Sequence, residues 1–347
     1  MVGGPALSAQ VLTARLLRAV VDRVAEREGT YPDAIAVTHP ANWKRYKLDL
    51  LQQAVEHAGF GHYPLTYVTE PEAAAIHYAT HERVEPGAVL GVYDLGGGTF
   101  DAAVVRRADD GRFEVVGRPE GVERLGGIDF DAAVLAHVDV ALEGGLSRLD
   151  LDDPATIQAA TRLRLDCIEA KESLSADADV AIPVALPARQ RTVRLTRGEF
   201  EAMIRPAVAE TIVAMRRAIE SAGVTPADLQ AILLVGGSSR IPLVAQMVSA
   251  ELGGRIAVDA HPKHAIAQGA AVAAADHAGA AEADSVTVVQ TDEDEGASRW
   301  FTTPWLGASA DDDRGADDDA GERVARAASA RSEAPPEPLI ASPRAPV

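Results

Sequence analysis

Asp94 and Asp101 bracket the run Asp94-Leu95-Gly96-Gly97-Gly98-Thr99-Phe100-Asp101, whose residue types and spacing suit phosphate and metal chemistry. Consecutive glycines permit positive φ and let backbone N–H groups approach a phosphate closely. If the run folds about Gly97-Gly98, the two aspartates face one another across a hairpin. Like charges placed so repel unless a cation lies between them. Mg²⁺ takes one or two carboxylates together with water and phosphate oxygens, so the arrangement suits Mg-ATP. Taken alone, the same residues also fit a plain glycine hairpin with solvated aspartates. Two further glycine breaks follow, Leu125-Gly126-Gly127-Ile128-Asp129-Phe130-Asp131 and Leu234-Val235-Gly236-Gly237-Ser238-Ser239-Arg240-Ile241-Pro242. Each leads from an apolar approach into a helix start, where free amides and the helix dipole favour an anion. One such motif is a weak signal; three in this order are a strong one.

Strands and helices must hold these motifs. Apolar residues Leu12, Leu16, Val20 and Val24 recur at helical spacing, a strand is read over Ala34 to Thr38, and a helix runs through Leu48, Leu51, Val55 and Ala58 to Gly59. Leu65 to Val68 reads as a strand and Glu70-Pro71 as the start of an alanine-rich helix through His77. Strands over Ala88 to Leu95, Thr99 to Arg106 and Phe113 to Gly117 make a meander that carries the first motif. Helices follow over Phe130 to Leu142, Ala155 to Leu174 and Arg197 to Ala222, with strands over Val180 to Val184 and Thr192 to Leu195. The five apolar residues Ala231 to Val235 open onto the third motif, and helices from Pro242 to Leu252 and from Lys263 to about Ala275 follow it. The alternation is that of an α/β protein.

The 347 residues carry a formal net charge of −19, which argues against a nucleic-acid or anionic-membrane partner. No apolar run reaches the ~18 residues of a membrane helix. Cys167 is the only cysteine, read as a core residue of a cytoplasmic protein. Residues 1–280 are expected to form the globular part. Residues 281–347 are acidic and then Pro/Ala-rich, and are expected to be disordered apart from a small aromatic island at Trp300 and Trp305.

The segments TEPEAAAIHYA, VYDLGGGTFDAAVV, RLGGIDFDAAV, RLRLDCIEAKESLS and LLVGGSSRIPLVAQ, met in that order, resemble the nucleotide-site signatures of the heat-shock-70 (DnaK-like) chaperones over roughly residues 8 to 276. The resemblance implies an actin-like (ribonuclease H-like) two-lobed ATPase fold, with the first lobe ending near residue 120 and the second spanning about 121–280. It implies a chaperone and stress-response ATPase that binds Mg-ATP and works with a protein partner or co-chaperone. Asp94 and Asp101 would manage Mg²⁺ and the attacking water, with Glu70 nearby. Gly96, Gly97, Gly98 and Thr99 would hold phosphates; Gly126, Gly127 and Asp129 would approach phosphates or ribose from the other lobe. Lys171 and Ser175 would border the adenosine, and Gly236, Gly237, Ser238 and Arg240 would cradle its α-phosphate and base.

Three departures qualify that likeness. Family members open with a strand and an Asp-x-Gly-Thr-Thr loop and then supply a lysine beside the γ-phosphate. The likeness here starts downstream of both, so the implied fold is N-terminally incomplete and hydrolysis is expected to be slow or absent. Glu172 stands where the family has an arginine stacking on adenine, and Lys263 where it has an aspartate. Finally, the residues after Asp276 do not read as a peptide-binding domain. A non-catalytic nucleotide-responsive interaction module and a small-molecule kinase of the same superfold are the other open readings.

Overall fold

The computed structural model describes residues 7–150, 152–187, 189–258 and 261–284, all within one unit, Met1–Val288. The aromatic island and the rest of the tail lie outside the described residues.

Helix α1 (Ala9–Glu28) starts where the Ser8 side chain accepts the Val11 N–H and stops at Gly29, which adopts φ 79°. Its face is not the one that Leu12, Leu16, Val20 and Val24 mark out: those four are 46–65% exposed. Ala14, Leu17, Val21 and Ala25 share an equally helical spacing and turn inward instead, with Ala14 and Leu17 in the cluster around Leu51, Ala54 and Val55. Small residues allow the closer approach of two helices. Strand β1 (Ile35–His39), helix α2 (Arg45–His57) and strand β2 (Leu65–Thr69) form a crossover, with β1 and β2 paired in parallel from Ile35 opposite Leu65 to His39 opposite Thr69. Thr69 and Glu72 form a capping box that begins α3 (Glu70–His81), which places Glu70 at the first helical position.

Strands β3 (Val89–Leu95), β4 (Thr99–Arg107) and β5 (Phe113–Glu123) follow as an antiparallel meander. β5 runs six residues beyond the expected end at Gly117. It lies at the sheet edge, where Pro119 costs no ladder bond, and a register shift between Ala102 and Val104 accommodates the irregularity. Helices α4 (Gly127–Ala141) and α5 (Pro154–Ser173), the hairpin β6 (Asp179–Leu186) and β7 (Arg189–Thr196), and helix α6 (Arg197–Ser221) come next. Strand β8 (Ala231–Val235), helix α7 (Pro242–Leu252), strand β9 (Ile256–Val258) and helix α8 (Ala265–Asp284) complete the described chain. β9, only three residues long, has no counterpart in the sequence reading, and α8 extends past its expected end.

The five strands order as β5-β4-β3-β8-β9, with β3, β8 and β9 parallel. All five residues of β8 are buried, as both-face coverage requires. On one face Tyr93, Leu95 and Phe100 pack with Phe130, Cys167, Phe200 and Met215 of the following helices; on the other Leu90, Val92, Leu233 and Val235 meet Ala74 and Ala75 of α3. Cys167 is buried and its thiol is pushed up to about 11 by burial, as a core cysteine should be. Among the described residues no helix is long and apolar enough to cross a membrane.

Candidate functional site

The β3–β4 register sets Asp94 opposite Asp101 and Leu95 opposite Phe100, so the glycines form the turn between them. Glu70 reaches the same hollow from the start of α3, with Asn42, Pro71 and Pro119 also on its wall. Burial pushes the Glu70 carboxyl up to about 7, and the charges of Asp94 and Asp101 add to that. Asp94 rises to about 6 for the same reasons, burial first and Asp101 second. Asp101 is raised by burial, offset in part by a hydrogen bond from Thr99. The charges raising these carboxyls are those of one another and of Glu123. Asn42 donates to Asp101 Oδ1 at 3.4 Å. Gly121, opposite Asp101 in β5, leaves space that a Cβ would take, 3.0 Å from the same oxygen.

Hard oxygen donors lining one half-buried hollow fit Mg²⁺. Among the described residues no group of three or more His, Cys, Asp or Glu side chains is placed to hold a metal ion by itself. An ion held by these carboxylates would therefore complete its shell with water or phosphate oxygens.

Backbone contacts gather the three glycine motifs at the hairpin tip. The Gly96 carbonyl accepts the Gly127 N–H at 3.1 Å and the Ser238 hydroxyl at 2.8 Å, and the Gly97 carbonyl accepts the Ile128 N–H at 2.7 Å. Two of the α4 amides thus bind the hairpin. A Cβ on Gly126 would sit 2.7 Å from the Gly97 carbonyl carbon and the Gly98 nitrogen, so only glycine permits this approach. Asp129 caps α4 by accepting the Gly126 N–H at 2.9 Å. Lys171 donates to the Gly127 carbonyl at 3.1 Å and pairs with Asp131 at 2.8 Å. Ser175 lies in the turn after α5, its N–H bonded to the Glu172 carbonyl. Gly236 adopts φ 83° with its α-carbon against the Asp94 carboxylate and the Leu95 carbonyl. Gly237 to Arg240 form a 3-10 turn, with the Lys263 stem over Gly237 and Arg240 exposed at its end. Thr99 is exposed at the start of β4.

The hairpin thus brings together Glu70, Asp94, Asp101, Gly126, Gly127, Lys171, Gly236 and Ser238, whereas Ser175 and Arg240 lie on neighbouring turns. Asn42, Gly121 and Asp131, the partner of Lys171, were not assigned there from sequence. Asp131 stood inside a quoted motif, whereas Asn42 is 59 residues from its partner and gave no local signal.

A family profile described as Hsp70 protein matches residues 1–292. The chain belongs to the Hsp70 family. Its fold is accordingly the actin-like ATPase fold, to which the mixed five-stranded sheet conforms. It is 33% identical over 264 residues to a chaperone protein HscA homolog of Acidithiobacillus ferrooxidans, covering 76% of this chain and 40% of that protein. It is 37% identical over 273 residues to the homolog of Pseudomonas putida, 79% of this chain and 41% of the other. It is 34% identical over 263 residues to that of Tolumonas auensis, 76% and 40%. This Hsp70-family chain thus spans about two fifths of the length of the curated relatives it matches.

Proposed function

We propose that this Hsp70-family chain is a chaperone ATPase domain that binds Mg-ATP on the β3–β4 hairpin, between a lobe ending near residue 120 and a lobe spanning about 121–280. The observation that carries this reading is the trio Glu70, Asp94 and Asp101, whose half-buried carboxyls line one hollow beside a glycine turn. Burying like charges is costly, and a bound cation is the simplest compensation. Asp94 and Asp101 would hold Mg²⁺ through water, the ion supplying charge neutralisation at the phosphates. Glu70, titrating near neutrality, is suited to take a proton from an attacking water. Gly97 to Thr99 would hold phosphate oxygens, the Gly96 N–H being bonded to the Thr99 carbonyl, and Gly127, Lys171 and Ser238 wall the sugar side.

Turnover by this chain alone should be slow. The charged groups acting on the three carboxyls are all acidic, and phosphoryl transfer relies on basic groups to neutralise developing charge. A chaperone or stress role with a co-chaperone or other protein partner, and a cytoplasmic location, belong to the same proposal, the location supported by a single buried cysteine. Titration calorimetry tests the binding: Mg-ATP should bind one to one, and Asp94→Asn should weaken it at least tenfold. Equal affinity in parent and variant would exclude the hairpin as the site.

A further inference from the structure

Helix α3 starts at the carboxylate hollow and ends at a larger cavity. Glu70 opens the helix and His81 closes it, about 16 Å of helix apart, so the two places are distinct. The cavity measures about 670 Å³ and lies between the second half of α3, the edge strand β9 and the start of α8. Sites for small organic ligands run from about 300 to about 1,000 Å³. The buried side chains Ala74, Leu233 and Val235 give it an apolar wall, which half-buried Ile256 and exposed Val258 extend. Its charge balance runs against that of the chain. Glu82 is the one acidic side chain in the lining, whereas Arg255 is cationic and His77, His81 and His261 bring imidazoles, in a protein of formal charge −19. Arg255 donates to Glu82 through a single nitrogen, Nη2 to Oε1 at 2.9 Å, with the two side chains 57% and 44% exposed. An ion pair that open to water is weak, and the planar guanidinium has further N–H groups to turn toward a carboxylate. Arg255 also acts electrostatically on the Tyr78 phenol, which places its charge near that ring of the cavity wall. The Tyr78 hydroxyl is shut from water and has no hydrogen-bond partner among the described residues, an unmet polar group beside the cavity.

We propose that this cavity is a second ligand site, which binds an organic carboxylate with a bulky apolar body: Arg255 holds the carboxylate, and Ala74, Leu233, Val235 and Ile256 receive the body. The inference is independent of the nucleotide reading above. An organic cation would meet the Arg255 charge. A compact inorganic anion would leave the apolar wall uncovered, and an uncharged apolar molecule would give up the contact with the guanidinium. A carboxylate that carries an aromatic or branched aliphatic group satisfies both halves of the lining, with burial of the body as the driving force and the charged contact as the source of selectivity.

Calorimetric titration of the full chain, free of nucleotide, with naphthaleneacetate and with its uncharged isostere naphthaleneacetamide tests this. The acid should bind one to one and at least tenfold more tightly than the amide. Arg255→Gln should bring the acid down to the affinity of the amide, and Arg255→Lys, which keeps the charge without the planar fork, should fall between. Val258 is 54% exposed, so Val258→Glu adds a like charge to the lining without disturbing the core and should weaken the acid while leaving the amide nearly unchanged. Equal affinities for acid and amide in the parent, an acid affinity unmoved by both Arg255→Gln and Val258→Glu, or binding of neither compound would overturn the proposal.

Discussion

Glu70 shows how the site trades stability for chemistry. Its carboxyl titrates near 7 in the folded chain against 4.5 for the free group, because burial and two neighbouring aspartates disfavour its charge. The native state therefore holds this proton more tightly than the unfolded state does. The resulting stabilisation is complete below about pH 4.5 and is lost as the pH rises through about 7. Glu70→Gln cannot titrate, so between pH 5 and pH 8 the parent should lose melting temperature relative to this variant in the absence of ligand. A constant difference across that range would show that Glu70 is not held in this environment. Asp94→Asn should act in the same direction for the same reason, with the window centred lower because Asp94 rises only to about 6.

Helices α3 and α8 meet through residues too small to have drawn notice as a contact. Gly269 presses its α-carbon on the Ala73 carbonyl, where a methyl group has no room. Gly269→Ala should cost about 1–3 kcal/mol through forced separation of the helices. Denaturant unfolding would show it as a lower midpoint at unchanged slope, and an unchanged midpoint would mean that the helices are not in contact there. Much of the fold was legible in the sequence because caps and glycines punctuate it. Glu70-Pro71 marked the start of α3, and the apolar run Ala231 to Val235 is β8 to the residue. The hairpin site was legible because one turn fixes the register of both aspartates. Longer-range features were not. α1 carries two apolar stripes, and only the presence of α2 decides between them. β5 continues through Pro119 and Gly121 because an edge strand tolerates both, which no local pattern reveals. Asn42 and Gly121 join the site only through tertiary contact with Asp101.

At the scale of the molecule, a chain of formal charge −19 is proposed to receive a polyanion next to three half-buried carboxyls. Free ATP should be repelled, and only the Mg²⁺ complex should bind. Gly236 couples that site to the sheet, since at φ 83° it lies against Asp94 where a side chain would displace the carboxylate. Thermal melting of the purified chain with excess Mg-ATP, with ATP plus a chelator, and with Mg-ATP added to Asp94→Asn and Gly236→Val, tests the central claim most directly. At about 100 times the dissociation constant Mg-ATP should add about 2.7 kcal/mol, a rise of several degrees, with no rise when the metal is chelated or in either variant. No shift in the parent, or an equal shift in parent and variants, would contradict an Mg-ATP site on the β3–β4 hairpin.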